Sequence, residues 1–211
     1  MNASDHEDGG LRVWDHTGKP LWRGDGRGRA PVVADLDSDG DLEVLTQTKA
    51  YHHDGTDTGW SYQAVNPNGA SVADLDGDGD MEVLLGSSNS DGLLAYHYDG
   101  TPVAGFPLFV DRYHKDVWMT PVITDLDRDG DVEVVVGGDY LAAWDLFGTY
   151  DPTKVEWGMY RHDPYRTGNY HTKINYPPVW NVPPRERDLR TRAGERVLCP
   201  SRRPGAQVCE V

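Results

Sequence analysis

Short apolar runs alternate with acidic segments along most of the chain. Three apolar runs, at 31–34, 70–73 and 121–124, each end directly before a nine-residue acidic segment. A second apolar run begins directly after each segment, at Val44, Val83 and Val134. Apolar runs of this length between turns are typical of buried β-strands, and no window keeps a helical period. The pattern predicts three acidic loops, each joining two adjacent antiparallel strands.

A second pattern places an aromatic residue four positions before a glycine. The four pairs are Trp14 with Gly18, Tyr51 with Gly55, Tyr96 with Gly100, and Trp144 with Gly148. An aromatic residue followed by a turn glycine is typical of a strand that enters a hairpin. Each pair therefore predicts a third strand, a turn and a fourth strand, with the aromatic ring packed in the core.

The spacing of the acidic loops indicates a repeat architecture. The loops begin at Asp35, Asp74 and Asp125, so they are 39 and 51 residues apart. A period of this size with four antiparallel strands per repeat is typical of a β-propeller blade. We therefore predict an all-β fold of β-propeller-type blades over 11–170. The predicted units are a half blade at 11–24 and blades at 29–66, 68–110 and 118–170.

About three and a half blades are fewer than the four to eight that usually close a propeller. The chain is then part of a larger propeller, completes one with a second chain, or stays open. The first residues are polar and acidic and show no signal peptide. Since the chain begins inside a blade, we expect that its natural N-terminus is missing.

The charge of the chain excludes some partners. The formal net charge is −15, and 15 of the 35 acidic residues lie in the three loops. A protein this acidic is not expected to bind nucleic acid or an anionic membrane. No apolar run approaches the 18 residues of a membrane span.

The segment 157–170 is rich in polar side chains, including Arg161, His162 and Asp163. Adjacent residues of a strand point to opposite faces, so His162 and Asp163 are not expected to act as a pair. We interpret the segment as a closing one that packs Trp157 and Tyr160 against the last blade.

The character of the sequence changes after residue 170. The segment 171–211 holds six of the 14 prolines, and seven arginines lie between 181 and 211. Few apolar residues are available to offset the entropy of ordering, so we predict an extended or disordered tail. Cys199 and Cys209 lie in this tail, where they either form a small-loop disulfide or stay unpaired.

The acidic loops share one arrangement of residues. Each has acids at positions 1, 3, 5, 7 and 9, glycine at position 6 and an apolar residue at position 8. Carboxylates this close repel one another unless a cation lies among them, and hard oxygen ligands around a tight turn suit Ca²⁺. We predict three Ca²⁺ sites. Their candidate residues are Asp35, Asp37, Asp39, Asp41 and Glu43; Asp74, Asp76, Asp78, Asp80 and Glu82; and Asp125, Asp127, Asp129, Asp131 and Glu133.

The ninth and twelfth positions distinguish these loops from an EF-hand. An EF-hand loop needs a glutamate at position 12 and flanking helices. Position 12 is occupied here by Thr46, Leu85 or Val136, and the flanks are strand-like. Glutamate stands at position 9 instead.

The acidic pattern after an apolar strand resembles the FG-GAP/VCBS repeats, which are related to the integrin α-subunit β-propeller. The segment 157–168 is similar to the one that ends such propellers in bacterial secreted proteins. The resemblance covers about 11–170. It implies side-chain ligands at positions 1, 3, 5 and 9 of each loop and a backbone carbonyl ligand at position 7, that is, at Asp41, Asp80 and Asp131. The FG-GAP flanking residues match only in part, so the integrin ligand-binding role is not carried over.

The resemblance implies a non-catalytic extracellular module that binds Ca²⁺ for structure and serves as a binding or adhesion scaffold. Its ligand, a protein or a polysaccharide, is not indicated by the sequence. The alternative is part of a Ca²⁺-dependent polysaccharide lyase or another secreted carbohydrate-active enzyme. In that case a histidine would supply the base, and the candidates are His52, His53, His97, His114 and His162. They form no repeated constellation, so we expect no catalytic residues.

Overall fold

Short β-strands dominate the part of the chain that the structure, a computed structural model, describes. That part comprises residues 10–26, 30–46, 48–59, 69–88, 92–110, 116–138 and 140–172. Its strands form antiparallel sheets of two to four strands, and one 3₁₀ turn at Pro152–Lys154 is the only helical element in these ranges. The predicted all-β class is confirmed. Within the same ranges, no helix has the length and apolarity that a bilayer crossing requires.

The strands form four sheets along the chain. The first pairs β1 and β2, the second has the order β3-β4-β5, the third β12-β6-β7-β8 and the fourth β11-β10-β9. Their bounds are Leu11–Trp14 (β1), Pro20–Gly24 (β2), Val32–Ala34 (β3), Glu43–Leu45 (β4), Ala50–Tyr51 (β5), Ala70–Ala73 (β6), Glu82–Ser87 (β7), Gly92–His97 (β8), Val122–Thr124 (β9), Asp131–Gly137 (β10), Leu141–Thr149 (β11) and Val155–Trp157 (β12).

Each acidic loop joins the first two strands of its sheet, as the sequence predicts. The loops connect β3 to β4, β6 to β7 and β9 to β10, and all three pairs are antiparallel. The register is the same in each, since the last residue before the loop faces the position-9 glutamate. These pairs are Ala34 with Glu43, Ala73 with Glu82, and Thr124 with Glu133.

Two apolar cores hold the sheets together. One joins β3 and β4 to β6 and β7 and includes Leu45 and Val83. The other joins the third sheet to the fourth and includes Leu84 and Trp144. The alternation along β7 explains why one strand serves both: Val83 and Leu84 point to opposite faces, and both are buried. The sheets are therefore stacked face to face, as the blades of a propeller are.

The predicted hairpins are confirmed in part. The pair Trp14 and Gly18 marks the turn between β1 and β2. Gly55 and Gly100 also lie in turns, but the predicted fourth strands appear only as isolated bridges, at Asp57, Pro102 and Leu108.

The hairpin predicted at Gly148 is wrong, because β11 continues through Thr149 without a turn. Gly148 serves a different purpose. A Cβ atom at this position would lie 1.8 Å from the backbone oxygen of Leu75, in the second acidic loop. The glycine allows two backbones to approach closely, a requirement that looks the same as a turn glycine in the sequence.

Gly148→Ala is expected to destabilise the fold, because the added methyl group meets backbone atoms that cannot rotate away. We expect a loss of about 3 kcal/mol in the free energy of unfolding, measured by urea denaturation. Gly137→Ala is the matched control, since a Cβ atom there meets only Met119 side-chain atoms, at 3.6 and 3.7 Å. Equal stability of the two variants would contradict the close approach.

The closing segment packs differently from the prediction. Strand β12 pairs with β6 of the third sheet, and Trp157 lies in the core shared by the second and third sheets. Trp157 therefore does not pack against the last blade, and Tyr160 is 43 % exposed. The 3₁₀ turn at Pro152–Lys154, capped by the Asp151 side chain, precedes β12 on the path back to β6. The blade boundaries stay predictions.

His162 and Asp163 are brought together, contrary to the sequence prediction. The segment forms turns and not a strand, with φ of 62° at Arg161 and 77° at His162. His162 Nδ1 lies 3.2 Å from Asp163 Oδ2, and the backbone N–H of Tyr165 donates to Asp163 Oδ1 at 2.8 Å. Both side chains are buried, so the pair secures the closing segment from inside.

Residues 173–211 lie outside the described residues. The predicted tail, apart from residues 171 and 172, and both cysteines, Cys199 and Cys209, fall in this range. The predictions made for them stay predictions.

Candidate metal centre

The three acidic loops adopt one backbone shape. The glycines at position 6 have φ of 94° at Gly40, 103° at Gly79 and 96° at Gly130. This left-handed region is where glycine is favoured over residues with a Cβ atom, so the predicted glycine turn is confirmed. Position 4 is left-handed too, with φ of 58° at Ser38 and 67° at Arg128. In the second loop Gly77 occupies position 4 with φ of 84°, so a glycine signals this second bend there, whereas the serine and the arginine of the other two loops do not signal it.

Local hydrogen bonds fold each loop inward. The backbone N–H of position 5 donates to the carboxylate of position 3, at 3.2–3.3 Å in the three loops. The N–H of position 7 donates to the carboxylate of position 5, at 2.8–3.0 Å. Alternate carboxylates are thereby held on the inside of the turn.

The position-9 glutamate closes each loop at its base. Glu43 Oε2 accepts the backbone N–H of Leu36 at 3.0 Å, and Glu82 Oε2 accepts that of Leu75 at 2.8 Å. Glu133 accepts the N–H of Leu126 in the same way. Because this glutamate begins or lies within a strand, the sheet fixes the position of the loop.

The loops bring their first three alternate carboxylates together. Oxygens of positions 1, 3 and 5 lie within 4.8 Å of one another in every loop, and in the third loop Glu133 joins them. The side chains of Asp41, Asp80 and Asp131 are in none of these clusters, which cover the described residues. The clusters are Asp35, Asp37 and Asp39; Asp74, Asp76 and Asp78; Asp125, Asp127, Asp129 and Glu133; and a fourth group in which Asp76 of the second loop also lies near Glu82 and His97.

The first and second loops are in contact. The backbone N–H of Met81 donates to the Leu36 carbonyl at 3.2 Å, and the Ser38 hydroxyl donates to the Gly79 carbonyl at 2.9 Å. The second loop also lies against Gly148 of the fourth sheet. The second loop therefore contacts both the first loop and the fourth sheet.

The first and third loops each leave one buried carboxylate oxygen without a hydrogen-bond partner. Asp35 Oδ1 and Asp125 Oδ1 are buried and have no hydrogen-bond partner. A buried oxygen without a partner is costly, and native proteins rarely leave one. A cation bound in each of these two loops would satisfy the unpartnered oxygen there.

The raised pKa values of the position-9 glutamates also agree with a bound cation. The pKa of Glu82 is raised to about 7, mainly by burial, and that of Glu133 is also raised to about 7. For Glu133 the causes are burial first and then the charges of the neighbouring aspartates. Burial also raises the pKa of Glu43. A divalent cation would offset the like charges, so the residues present fit Ca²⁺.

On the side of the third strand of each sheet, the residue next to the position-9 glutamate differs among the loops. His52 Nδ1 lies 3.2 Å from Glu43 Oε1, and His97 Nδ1 lies 3.0 Å from Glu82 Oε1. In the fourth sheet, Asp145 of β11 stands opposite Glu133. The pKa of Asp145 is raised by burial and then by Asp129 and two further aspartates of the third loop. Asp145 was not among the predicted site residues, although it directly follows the repeated aromatic residue Trp144 and could have been found from that signal.

The histidines considered as catalytic bases are dispersed. His52 and His97 contact loop glutamates, His53 Nδ1 lies 3.6 Å from Asp41 Oδ2, and His162 is buried. His114 lies outside the described residues. The enzyme alternative stays a prediction.

Comparison with known proteins supports the repeat. Residues 74–136 match the model of a family described as FG-GAP-like repeat. This segment spans the second and third loops and confirms the resemblance drawn from the sequence. A search of curated proteins gives no match.

A solved structure shares the fold. The crystal structure of the V. cholerae biofilm matrix protein Bap1 is similar with a TM-score of 0.50 and 21 % sequence identity. The similarity covers 71 % of this chain and 24 % of the Bap1 chain. The chain thus spans about a quarter of that protein, and at this identity the likeness concerns the fold.

Proposed function

We propose that this chain, which contains FG-GAP-like repeat sequence, is a non-catalytic extracellular β-propeller module that binds Ca²⁺ at its three acidic loops and serves as a binding or adhesion scaffold. One observation carries the metal part of the proposal. The loops gather carboxylates of positions 1, 3 and 5 within 4.8 Å, while Asp35 and Asp125 each keep a buried oxygen without a partner.

The proposed ligands are those of the sequence analysis. Positions 1, 3, 5 and 9 supply carboxylates, and Asp41, Asp80 and Asp131 supply backbone carbonyls. Bound Ca²⁺ would supply positive charge among the carboxylates. The chain positions those carboxylates through the glycine turn and through the glutamate that begins or lies within the following strand. The role of bound Ca²⁺ would then be structural, because each ion would tie two strands of one sheet to the loop between them.

The scaffold part of the proposal is supported by the fold shared with a protein whose name places it in a biofilm matrix. An extracellular location suits this role, because Ca²⁺ sites of extracellular modules work at dissociation constants of about 10⁻⁴–10⁻³ M. The partner would be a protein or a polysaccharide, and further blades or a second chain would complete the propeller.

Ion counting tests the metal part. We expect that the protein dialysed against Ca²⁺ and analysed for metal retains the ion, and that Asp127→Asn loses one ion from the third loop. Asp54→Asn is the matched control, because it removes the same charge while an asparagine oxygen can still accept the Thr56 N–H, now at 2.9 Å from Asp54 Oδ1. Ca²⁺ absent from all three proteins would refute the proposal.

A further inference from the structure

The second acidic loop differs from the others in the environment of its first aspartate. The side chain of Asp74 is completely buried. Its Oδ1 accepts the backbone N–H of Gly77 at 2.6 Å, and its Oδ2 accepts that of Gly79 at 3.2 Å. The ammonium group of Lys154 forms an ion pair with the same Oδ2. Both oxygens of Asp74 are therefore satisfied, whereas Asp35 and Asp125 each keep an unpartnered oxygen.

The backbone holds Lys154 at this place. The N–H of Asp74 donates to the Lys154 carbonyl at 3.1 Å, and the next residue, Val155, pairs with Ala73 in the sheet. The turn before Lys154 is capped by Asp151, whose side chain accepts the Thr153 N–H at 2.8 Å. Strand pairing thus places Lys154 beside the loop, although it lies 80 residues from Asp74 in the sequence.

The charge of Lys154 acts on more than one loop carboxylate. Its pKa is raised by the hydrogen bond to Asp74 and by the charges of Asp74, Asp151 and Asp78. Asp74 and Asp78 are positions 1 and 5 of the loop, two of the proposed Ca²⁺ ligands. The other described lysine with ion pairs, Lys49, contacts Asp25 and Asp57, which are outside the acidic loops.

We propose that Lys154 is a built-in counter-cation that competes with Ca²⁺ for the second loop. This inference rests on the proposed Ca²⁺ binding and makes the three loops unequal. An ion that enters the second loop must displace the ammonium group from Asp74, whereas the first and third loops present unsatisfied oxygens. The second loop is therefore the weakest Ca²⁺ site, and its occupancy is coupled to the segment that carries β12.

Removing the lysine charge tests the competition. In Lys154→Met the second loop is expected to bind Ca²⁺ about tenfold more tightly, within the roughly 5–150-fold range of ordinary coupling between sites. Titration calorimetry would show two tighter sites and one weaker site in the parent, and three sites of similar affinity in the variant. Adding Asp76→Asn to Lys154→Met should abolish the gain, which assigns it to the second loop.

Two controls separate charge from shape. Lys154→Arg keeps the positive charge and should keep the weak site. Lys19→Met changes an exposed lysine of the β1–β2 turn and should behave as the parent. Because Lys154→Met leaves Asp74 without its cation, the variant is purified and titrated from a low-Ca²⁺ buffer by competition with a chromophoric chelator. Its unfolding in chelator and refolding on Ca²⁺ addition would also support the competition.

The outcomes distinguish the two proposals. Three equal sites in the parent, or no gain in Lys154→Met, would overturn the role of Lys154 while leaving Ca²⁺ binding intact. The absence of Ca²⁺ binding in every protein would overturn both.

Discussion

Removing Ca²⁺ is expected to lower the melting temperature of the chain by about 10–20 °C, the largest change that we predict. A ligand present at 100 times its dissociation constant stabilises the folded state by about 2.7 kcal/mol per site. The two sites that we propose to be stronger would then contribute about 5 kcal/mol, and each kcal/mol shifts the melting temperature of a domain of this size by about 2–4 °C. Thermal unfolding followed by circular dichroism, with saturating Ca²⁺ or with a chelator, measures the shift.

The loop variants show where the shift originates. Asp127→Asn should remove about half of the Ca²⁺-dependent shift, because it would disable one of the two sites that we propose to be stronger. Asp54→Asn should retain the whole shift. Identical melting with Ca²⁺ and with chelator would mean that the loops are not structural metal sites.

Trp157→Ala is expected to produce the second largest effect. Trp157 is 4 % exposed and packs in the core between the second and third sheets, and its ring meets His162 edge-on with 5.0 Å between ring centroids. Truncating a buried tryptophan typically costs about 3–5 kcal/mol, because a cavity remains. We expect a melting temperature lower by about 6–20 °C. Chemical denaturation would give the free energy directly.

Trp14→Ala is the matched control. Trp14 lies in the β1–β2 hairpin with 54 % of its surface exposed, so its truncation should change the stability by about 0.5 kcal/mol or less. A similar loss in both variants would contradict the docking of β12 between the sheets. A normal stability of Trp157→Ala would contradict it as well.

The acidic loops were predictable because their structure is local. Alternating aspartates hydrogen-bond to the backbone two residues on, and glycine at position 6 permits the left-handed bend. The strands on either side were predictable too, since a short apolar run between turns has few other conformations in a core. Even the register around Glu43, Glu82 and Glu133 follows from a loop of constant length.

Contacts between segments that are distant in the sequence could not be predicted from the sequence pattern. Gly148 has the spacing of a turn glycine, yet it lies in a strand whose backbone closely approaches the Leu75 backbone. His162 and Asp163 were misassigned because a strand was assumed where the chain turns through positive φ. No residue near Asp74 in the sequence predicts its ion pair with Lys154.

The amino-acid sequence by itself determined the repeated unit: two strands, an acidic turn between them and the carboxylates turned inside it. These features depend on residues within one repeat, where backbone geometry and hydrogen bonding are set by neighbours. Only the tertiary structure decided which sheet edge receives β12 and which loop receives a lysine. Sheet edges offer the same backbone N–H and C=O groups whatever their sequence, so the choice of edge depends on packing across the whole fold.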